Sequence, residues 1–311
     1  MMIKLERRHL LTVEDLSAAE IERIFSISED LKAKFLEGIR EPLLPQRVMA
    51  LIFEKPSLRT RVSFETAMAH LGGSAIFLGQ DAGFGKRETM ADFASVLSQY
   101  VDVIVFRGNK HQTVEELARY SSCPVINGLT DYAHPCQALA DLFTLREIAG
   151  KLRGHTLAWV GDGNNVARSL AEGCAKLGVR FVMATPEKYR FEPEFVDRLR
   201  KKHPDFQFQV VDRPEDAVRD ALAVYTDVWT SMGQEAEAEQ RRRDFAPYQV
   251  NAKLMSHTQK GAVFMHCLPA HRGEEVTDEV IDGPQSVVLQ QAANRLHVQK
   301  GILAWLLGAH A

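Results

Sequence analysis

A chain of 311 residues that is 45% hydrophobic and 25% charged carries enough apolar content for two compact domains, each with its own core. Its 38 basic and 41 acidic residues are spread along the sequence and leave a net charge of -3, which excludes a broad nucleic-acid footprint or a membrane-surface patch. No apolar run approaches the ~20 residues of a membrane span and no secretory leader pattern opens the chain, so a cytoplasmic protein is expected.

In chain order, LSAAEI opens the first helix. Ser17 and Glu20 form a capping box, Leu16 can staple onto Ile21, and the helix runs to about Leu36. After the Pro42/Pro45 loop, apolar runs alternate with helical periodicity: VMALIF, a helix to His70, AIFL, ADFASVLSQY, DVIVF, TVEELARYS and PVIN. That alternation predicts parallel strands joined by crossover helices. A helix from about Gln137 to Ile148 then meets the break at Gly150, Lys151 and Gly154, where a domain boundary is expected.

The rhythm restarts with TLAWV, RFVMAT, FQFQVV, ALAVYT, AVFMHC and SVVLQ as strands, with helices between them. The fold class is therefore α/β, with two doubly wound parallel-sheet domains: 1–149, 150–290, and a last apolar helix within 291–311 that packs back on the first domain. In GQEAEAEQRRRDF, Glu237/Arg241 and Glu239/Arg243 sit at helical i,i+4 spacing, which predicts a solvated helix face. Cys123, Cys136, Cys174 and Cys267 lack CxxC spacing and fit free thiols in a reducing compartment.

Ligands of open α/β sheets gather beyond the carboxyl ends of the strands, and six such turns carry chemistry here. In SLRTR, Ser57 is placed as an N-cap whose helix offers free N–H groups to an anion, with Arg59 able to add a bidentate fork. No Walker pattern is present, which favours a small phosphorylated molecule over a nucleotide. DVIVFRG ends on Arg107. HPCQ places His134 and Gln137 around Pro135 at a helix start, where a histidine can polarise a carbonyl and a glutamine can accept from an amide. WVGDGNN resembles a dinucleotide turn, but Val166 stands where a third glycine belongs, and Asn164 and Asn165 offer neutral donors instead. Asp227, Ser231 and Met232, then His266 and Cys267, close the last two turns. HCLPAH supplies only scattered partners for a zinc ion, and no metal is expected. Together these turns suggest acyl or carbamoyl transfer from a phosphorylated donor to an amine.

These residues match a known pattern. SLRTR resembles the STRTR phosphate motif of the aspartate/ornithine carbamoyltransferase family; HPCQ, GDGNN, TDVWTSMGQE, HCLPAHRGEE and AANR follow in the family's order over nearly the whole chain. The resemblance implies an ornithine carbamoyltransferase that makes L-citrulline and phosphate in an arginine-biosynthetic or urea-cycle-type step, without cofactor, in an interdomain cleft of a homotrimer or an assembly of trimers. By the same carry-over, Ser57, Leu58, Arg59, Thr60, Arg107, His134, Pro135, Cys136, Gln137, Cys267, Leu268 and Arg295 bind carbamoyl phosphate. Asn165, Asp227, Ser231 and Met232 hold L-ornithine, and Arg107, His134, Asp227 and Cys267 are catalytic.

Two positions depart from the pattern. Leu58 replaces a threonine, losing a hydroxyl but keeping its backbone N–H. Gly83 stands near where relatives carry a glutamine or histidine that reaches a neighbouring subunit, so Lys86 or Arg87 would have to substitute. Arg61, about 200° around the helix from Arg59, is assigned a supporting ion pair. The rival readings are a carbamoyltransferase for another acceptor, a Rossmann-type oxidoreductase using GDGNN, and a catalytically silent homologue.

Overall fold

The computed structural model describes residues 9–79, 88–231 and 233–308; of these, the residues up to 139 together with those from 295 onward form one compact unit, and the described residues between them form a second. Gly83, Lys86, Arg87 and Met232 lie outside the described residues.

In the first unit, α1 (Ala18–Leu36) begins at the expected capping box, in which Ser17 accepts from the Glu20 N–H and Glu20 accepts from the Ser17 N–H. Leu16 and Ile21 are both buried at that entry. There follow β1 (Val48–Phe53), α2 (Leu58–His70), β2 (Ser74–Leu78), α3 (Met90–Tyr100), β3 (Val103–Arg107), α4 (His111–Tyr120), β4 (Val125–Leu129) and the start of α5 (Pro135–Ala149). All strand pairs are parallel, in the order β2-β1-β3-β4. The inner strands β1 and β3 are buried almost throughout, while the edge strand β2 is half exposed. This is the pattern of a sheet covered on both faces. The opposite edge is blunted by Leu10, whose N–H and C=O bond to Val125 and Asn127 of β4.

The second unit begins within α5, at Ala140. It continues through β5 (Thr156–Val160), α6 (Asn165–Leu177), β6 (Arg180–Ala184), α7 (Pro193–Lys202), β7 (Phe208–Val211), α8 (Pro214–Val218), β8 (Ala223–Thr226), α9 (Ala238–Phe245), α10 (Ala252–Met255), β9 (Val263–His266), α11 (Asp278–Ile281) and the first turns of α12 (Val288–Leu306). Its sheet is also wholly parallel, in the order β7-β6-β5-β8-β9. Trp159 and Tyr225, side by side on β5 and β8, stack with ring centroids 5.0 Å apart.

Two expectations about this unit fail. SVVLQ is not a strand: Ser286 makes an isolated parallel bridge with Phe264, and Val288 already opens α12. A short apolar run does not by itself separate strand from helix, and here VLQQAANRL continues with helical spacing. The final helix therefore starts at Val288 rather than near Ala293. The second failure is Arg241, which is 3% exposed and not on a solvated face.

Within the first unit, α12 packs tightly on α1. A Cβ at Gly301 would overlap the Ser28 hydroxyl and crowd the Ile24 carbonyl, so only glycine permits this approach. Nearly two turns of α12 earlier, Arg295 faces α2 and α5. Lys300, also buried, donates to the Leu31 carbonyl at 3.0 Å. Burial, and secondarily Arg40, depresses its pKa from 10.5 to about 8. The unfolded chain then holds this proton more tightly than the folded one, so stability rises with pH between about 8 and 10.5. Below pH 8 the penalty is fully present, about 3 kcal/mol before the hydrogen bond's offset. Lys300→Met is expected to be at least as stable as the parent at pH 7 and to lose that advantage by pH 10.5, as read by urea unfolding of both proteins across the range. A difference that is independent of pH would refute the buried charge.

Among the described residues no helix is long and apolar enough to cross a membrane.

Candidate active site

The sheet of the first unit reverses its winding between β1 and β3, and such a switch point opens a crevice beyond the strand carboxyl ends. The two turns at that point carry SLRTR and Arg107. Ser57 is the N-cap of α2 in extended conformation, and its hydroxyl accepts from the Thr60 N–H at 3.4 Å. The helix therefore begins at Leu58, which is 78% exposed, and its first-turn N–H groups point out of the helix end. Arg59 is exposed there too. Arg61 turns away, bonding Glu65 at 3.0 Å and lying over the Phe77 ring. That contact is the supporting ion pair expected of it.

Thr60 is fully buried, and its hydroxyl oxygen accepts from Arg107 at 3.2 Å and from Arg295 at 3.1 Å. A hydroxyl has two lone pairs and one proton, so with both lone pairs engaged the proton must point elsewhere. Thr60 is thereby an obligate donor. Arg295 also donates to Gln137 Oε1 at 3.0 Å. His134 precedes Pro135, the first residue of α5, and is 3% exposed. Burial first, then Arg295 and Arg107, hold its pKa well below the ordinary 6.5. A neutral imidazole can donate one hydrogen bond without bringing a third positive charge. Cys136 is buried beside it, and burial raises its thiol to about 12, so this cysteine is inert. Thr60, Arg107, His134, Gln137 and Arg295 thus converge, with two guanidinium groups on one neutral oxygen. Like charges held this close favour an anion.

The sheet of the second unit reverses between β5 and β8, and the turns there are GDGNN and TDVWTS. Asn164 caps α6 through the Val166 and Ala167 N–H groups, both at 3.0 Å, and its side-chain amide donates to Asp227 at 2.7 Å. Asn165 is the first residue of that helix. Asp227 also accepts from the Val228 N–H at 2.8 Å and from the Cys267 thiol at 3.0 Å. Ser231 follows in the same turn, its N–H donating to Gln234 at 3.0 Å. Asn165, Asp227, Ser231 and Cys267 are therefore on switch-point turns or the adjoining β9 end.

Beyond β9, Leu268 holds a left-handed φ of 57°, a conformation a leucine keeps only when its surroundings enforce it. Its N–H donates to His266 Nδ1 at 2.9 Å. His266 must then carry its proton on Nε2, which faces Glu275 at 3.1 Å. The His266 N–H is held by Gln291, whose amide in turn donates to Asp141 and the Tyr225 hydroxyl. Glu275, Gln291 and Asp141 were not legible as site supports, because no local spacing links them to HCLP. Asp227, His266 and Cys267 each bring a potential metal ligand within 4.8 Å of the others, as do His271, Glu274 and Glu275. In the first set both His266 ring nitrogens and the Cys267 thiol are already engaged in hydrogen bonds.

Comparison with known proteins defines the class. Residues 8–147 match the profile of the aspartate/ornithine carbamoyltransferase carbamoyl-P binding domain, and residues 153–306 that of the Asp/Orn binding domain. The fold and both profiles are those of a carbamoyltransferase. The chain is 51% identical to the ornithine carbamoyltransferase of Pyrococcus abyssi, covering 99% of this chain and 98% of the relative. It is 52% identical to that of Bacillus subtilis, covering 96% and 94%. The ornithine carbamoyltransferase structure from Pyrococcus furiosus superposes with a TM-score of 0.94 at 50% identity over 100% of both chains. The chain belongs to the aspartate/ornithine carbamoyltransferase family, and it is a transferase.

Proposed function

We propose that this transferase moves the carbamoyl group of carbamoyl phosphate to the δ-amine of L-ornithine, giving L-citrulline and phosphate as an arginine-biosynthetic step. The observation that carries the donor half is the Thr60 hydroxyl held as a donor by Arg107 and Arg295. Attack on the carbamoyl carbon puts negative charge on its oxygen, and preorganised donors aimed at that oxygen stabilise the transition state. Thr60, neutral His134 and Arg107 supply them. The phosphate takes the α2 N-terminus with Ser57, the Leu58 N–H and Arg59. The exposed Leu58 side chain adds no donor. Pro135 and Cys136 fix the HPCQ turn, and Gln137 Oε1 accepts from the carbamoyl amide. The Leu268 carbonyl serves as a second acceptor, since its N–H is committed to His266.

The acceptor half rests on Asp227, with Asn165, Ser231 and Met232 holding the amino-acid end of ornithine. A δ-amine with a lysine-like pKa near ~10.4 costs about 4 to 5 kcal/mol to present neutral at neutral pH. Asp227, bonded to the Cys267 thiol, orients this amine and takes part in its discharge. The protein works in the cytoplasm as a homotrimer.

The test is ureido-product formation from carbamoyl phosphate with L-ornithine, putrescine, an acylated ornithine and L-aspartate in parallel. L-Ornithine is expected to be the preferred acceptor. Product with another amine and none with L-ornithine overturns the assignment.

A further inference from the structure

The acceptor-side switch point contains a second carboxylate that the proposed reaction does not use. Asp162, in the GDGNN turn after β5, lies close enough to Asp227 for the Asp227 charge to oppose its ionisation. Its counter-charge comes from Arg241 on α9, a side chain that is 4% exposed. Arg241 bonds the Asp162 carboxylate with one terminal nitrogen, and its Nε donates to the Trp229 carbonyl. Trp229 stands midway between Asp227 and Ser231 in the turn after β8. The guanidinium plane is further packed against the Tyr189 ring, 4.6 Å from its centroid. Trp159 adds a tie within the first turn by donating to the Asp162 carbonyl at 2.9 Å.

We propose that Arg241, paired with Asp162, is a positioning residue of the acceptor site: it fastens the turn carrying Asp227 and Ser231 to the turn carrying Asn165, and it cancels the Asp162 charge so that Asp227 alone faces the incoming amine. This rests on the functional reading above. The argument is geometric. The two turns flank the switch point between β5 and β8, and a single fork-shaped cation spans both. Lysine has one ammonium in place of the planar fork and cannot reproduce both bonds with the same geometry. Glu237, 3.6 Å from Arg241 but 58% exposed, is a weak competitor for the same cation.

The balance between the two carboxylates also bears on pH. Burial raises the Asp162 pKa to about 6, against the lowering effects of Arg241 and Arg168 and alongside the raising effect of Asp227. Below that pH Asp162 protonates, the tie to Arg241 weakens, and the acceptor site loosens.

The experiment uses the full chain with Arg241→Met, Arg241→Lys and Asp162→Asn, each assayed with carbamoyl phosphate and L-ornithine and each melted to confirm folding. Arg241→Met is expected to raise the KM for ornithine about tenfold or more, the order seen when a positioning group is lost. The KM for carbamoyl phosphate should stay within about twofold, and Arg241→Lys should fall between parent and Arg241→Met. In the parent, the KM for ornithine should climb as pH falls through about 6, and Asp162→Asn should lack that component. A folded Arg241→Met with unchanged ornithine KM overturns the proposal, as does equal loss for both substrates. If Arg241→Met does not fold, Arg241→Lys and the Asp162→Asn pH profile decide by the same criteria. Failure of the parent to use L-ornithine would instead refute the functional reading, and the variants would then be read with whichever acceptor the panel identifies.

Discussion

Thr60→Val lowers kcat by about two to three orders of magnitude while carbamoyl phosphate still binds, the size of effect that follows loss of one oxyanion donor. Valine matches threonine in shape, and the helix cap is untouched because Ser57 accepts from the Thr60 backbone N–H and not from its side chain. What disappears is the hydroxyl that Arg107 and Arg295 force to donate. The two guanidinium groups also lose their shared acceptor, a cost that the phosphate and carbamoyl oxygens can take up in the bound state but not in the free protein. The variant should therefore be less stable without ligand and recover much of the difference with carbamoyl phosphate present. Steady-state kcat, calorimetric affinity for carbamoyl phosphate and melting with and without it make the test. Thr60→Ser, which restores the hydroxyl, is expected to return most of the activity. A kcat for Thr60→Val within a few-fold of the parent removes the hydroxyl from the chemistry.

The parts of this molecule legible in its sequence are those where chemistry is packed into one turn after one strand. SLRTR reads as an N-cap, a helix start and an anion site because Ser57, the helix N–H groups and Arg59 are contiguous. HPCQ reads the same way, with His134 and Gln137 on either side of a helix-initiating proline. The alternation of strands and helices, and hence both parallel sheets, follows from short apolar runs that alternate along the chain with segments of helical periodicity.

Other features depend on partners remote in sequence, and local patterns there misled. Arg241 has Glu237 one turn before it on what reads as a charged helix, and that contact does exist at 3.6 Å. The stronger partner is Asp162, reached only through the fold, so the i,i+4 rule pointed to solvent where the residue is buried. The double use of the Thr60 hydroxyl was equally hidden, because it requires β3, α2 and α12 to meet. SVVLQ failed for a different reason: a run of two valines and a leucine satisfies strand and helix alike, and the backbone spends one residue on a bridge before turning helical.

Asp227→Asn is expected to reduce kcat/KM for ornithine by about two to four orders of magnitude. The carboxylate accepts from Asn164, from the Val228 N–H and from the Cys267 thiol. An asparagine places its NH₂ at one of the two oxygen positions, where a donor then faces the Asn164 amide or the thiol. Leaving such a buried donor unsatisfied costs about 1 to 3 kcal/mol. Losing the charge that orients the acceptor amine removes a charge-assisted bond of about 1.5 to 3 kcal/mol. The two losses add to about 2.5 to 6 kcal/mol, which sets the range. The phosphate-binding groups Ser57, Arg59 and Thr60 belong to the other compact unit, so affinity for carbamoyl phosphate should change by no more than about threefold. Calorimetry with each ligand, alongside kinetics over a range of ornithine concentrations, separates the outcomes. Selective loss of ornithine use places the carboxylate at the amine; equal loss of both ligands means that Asp227 holds the fold and that the nucleophile is oriented by another group.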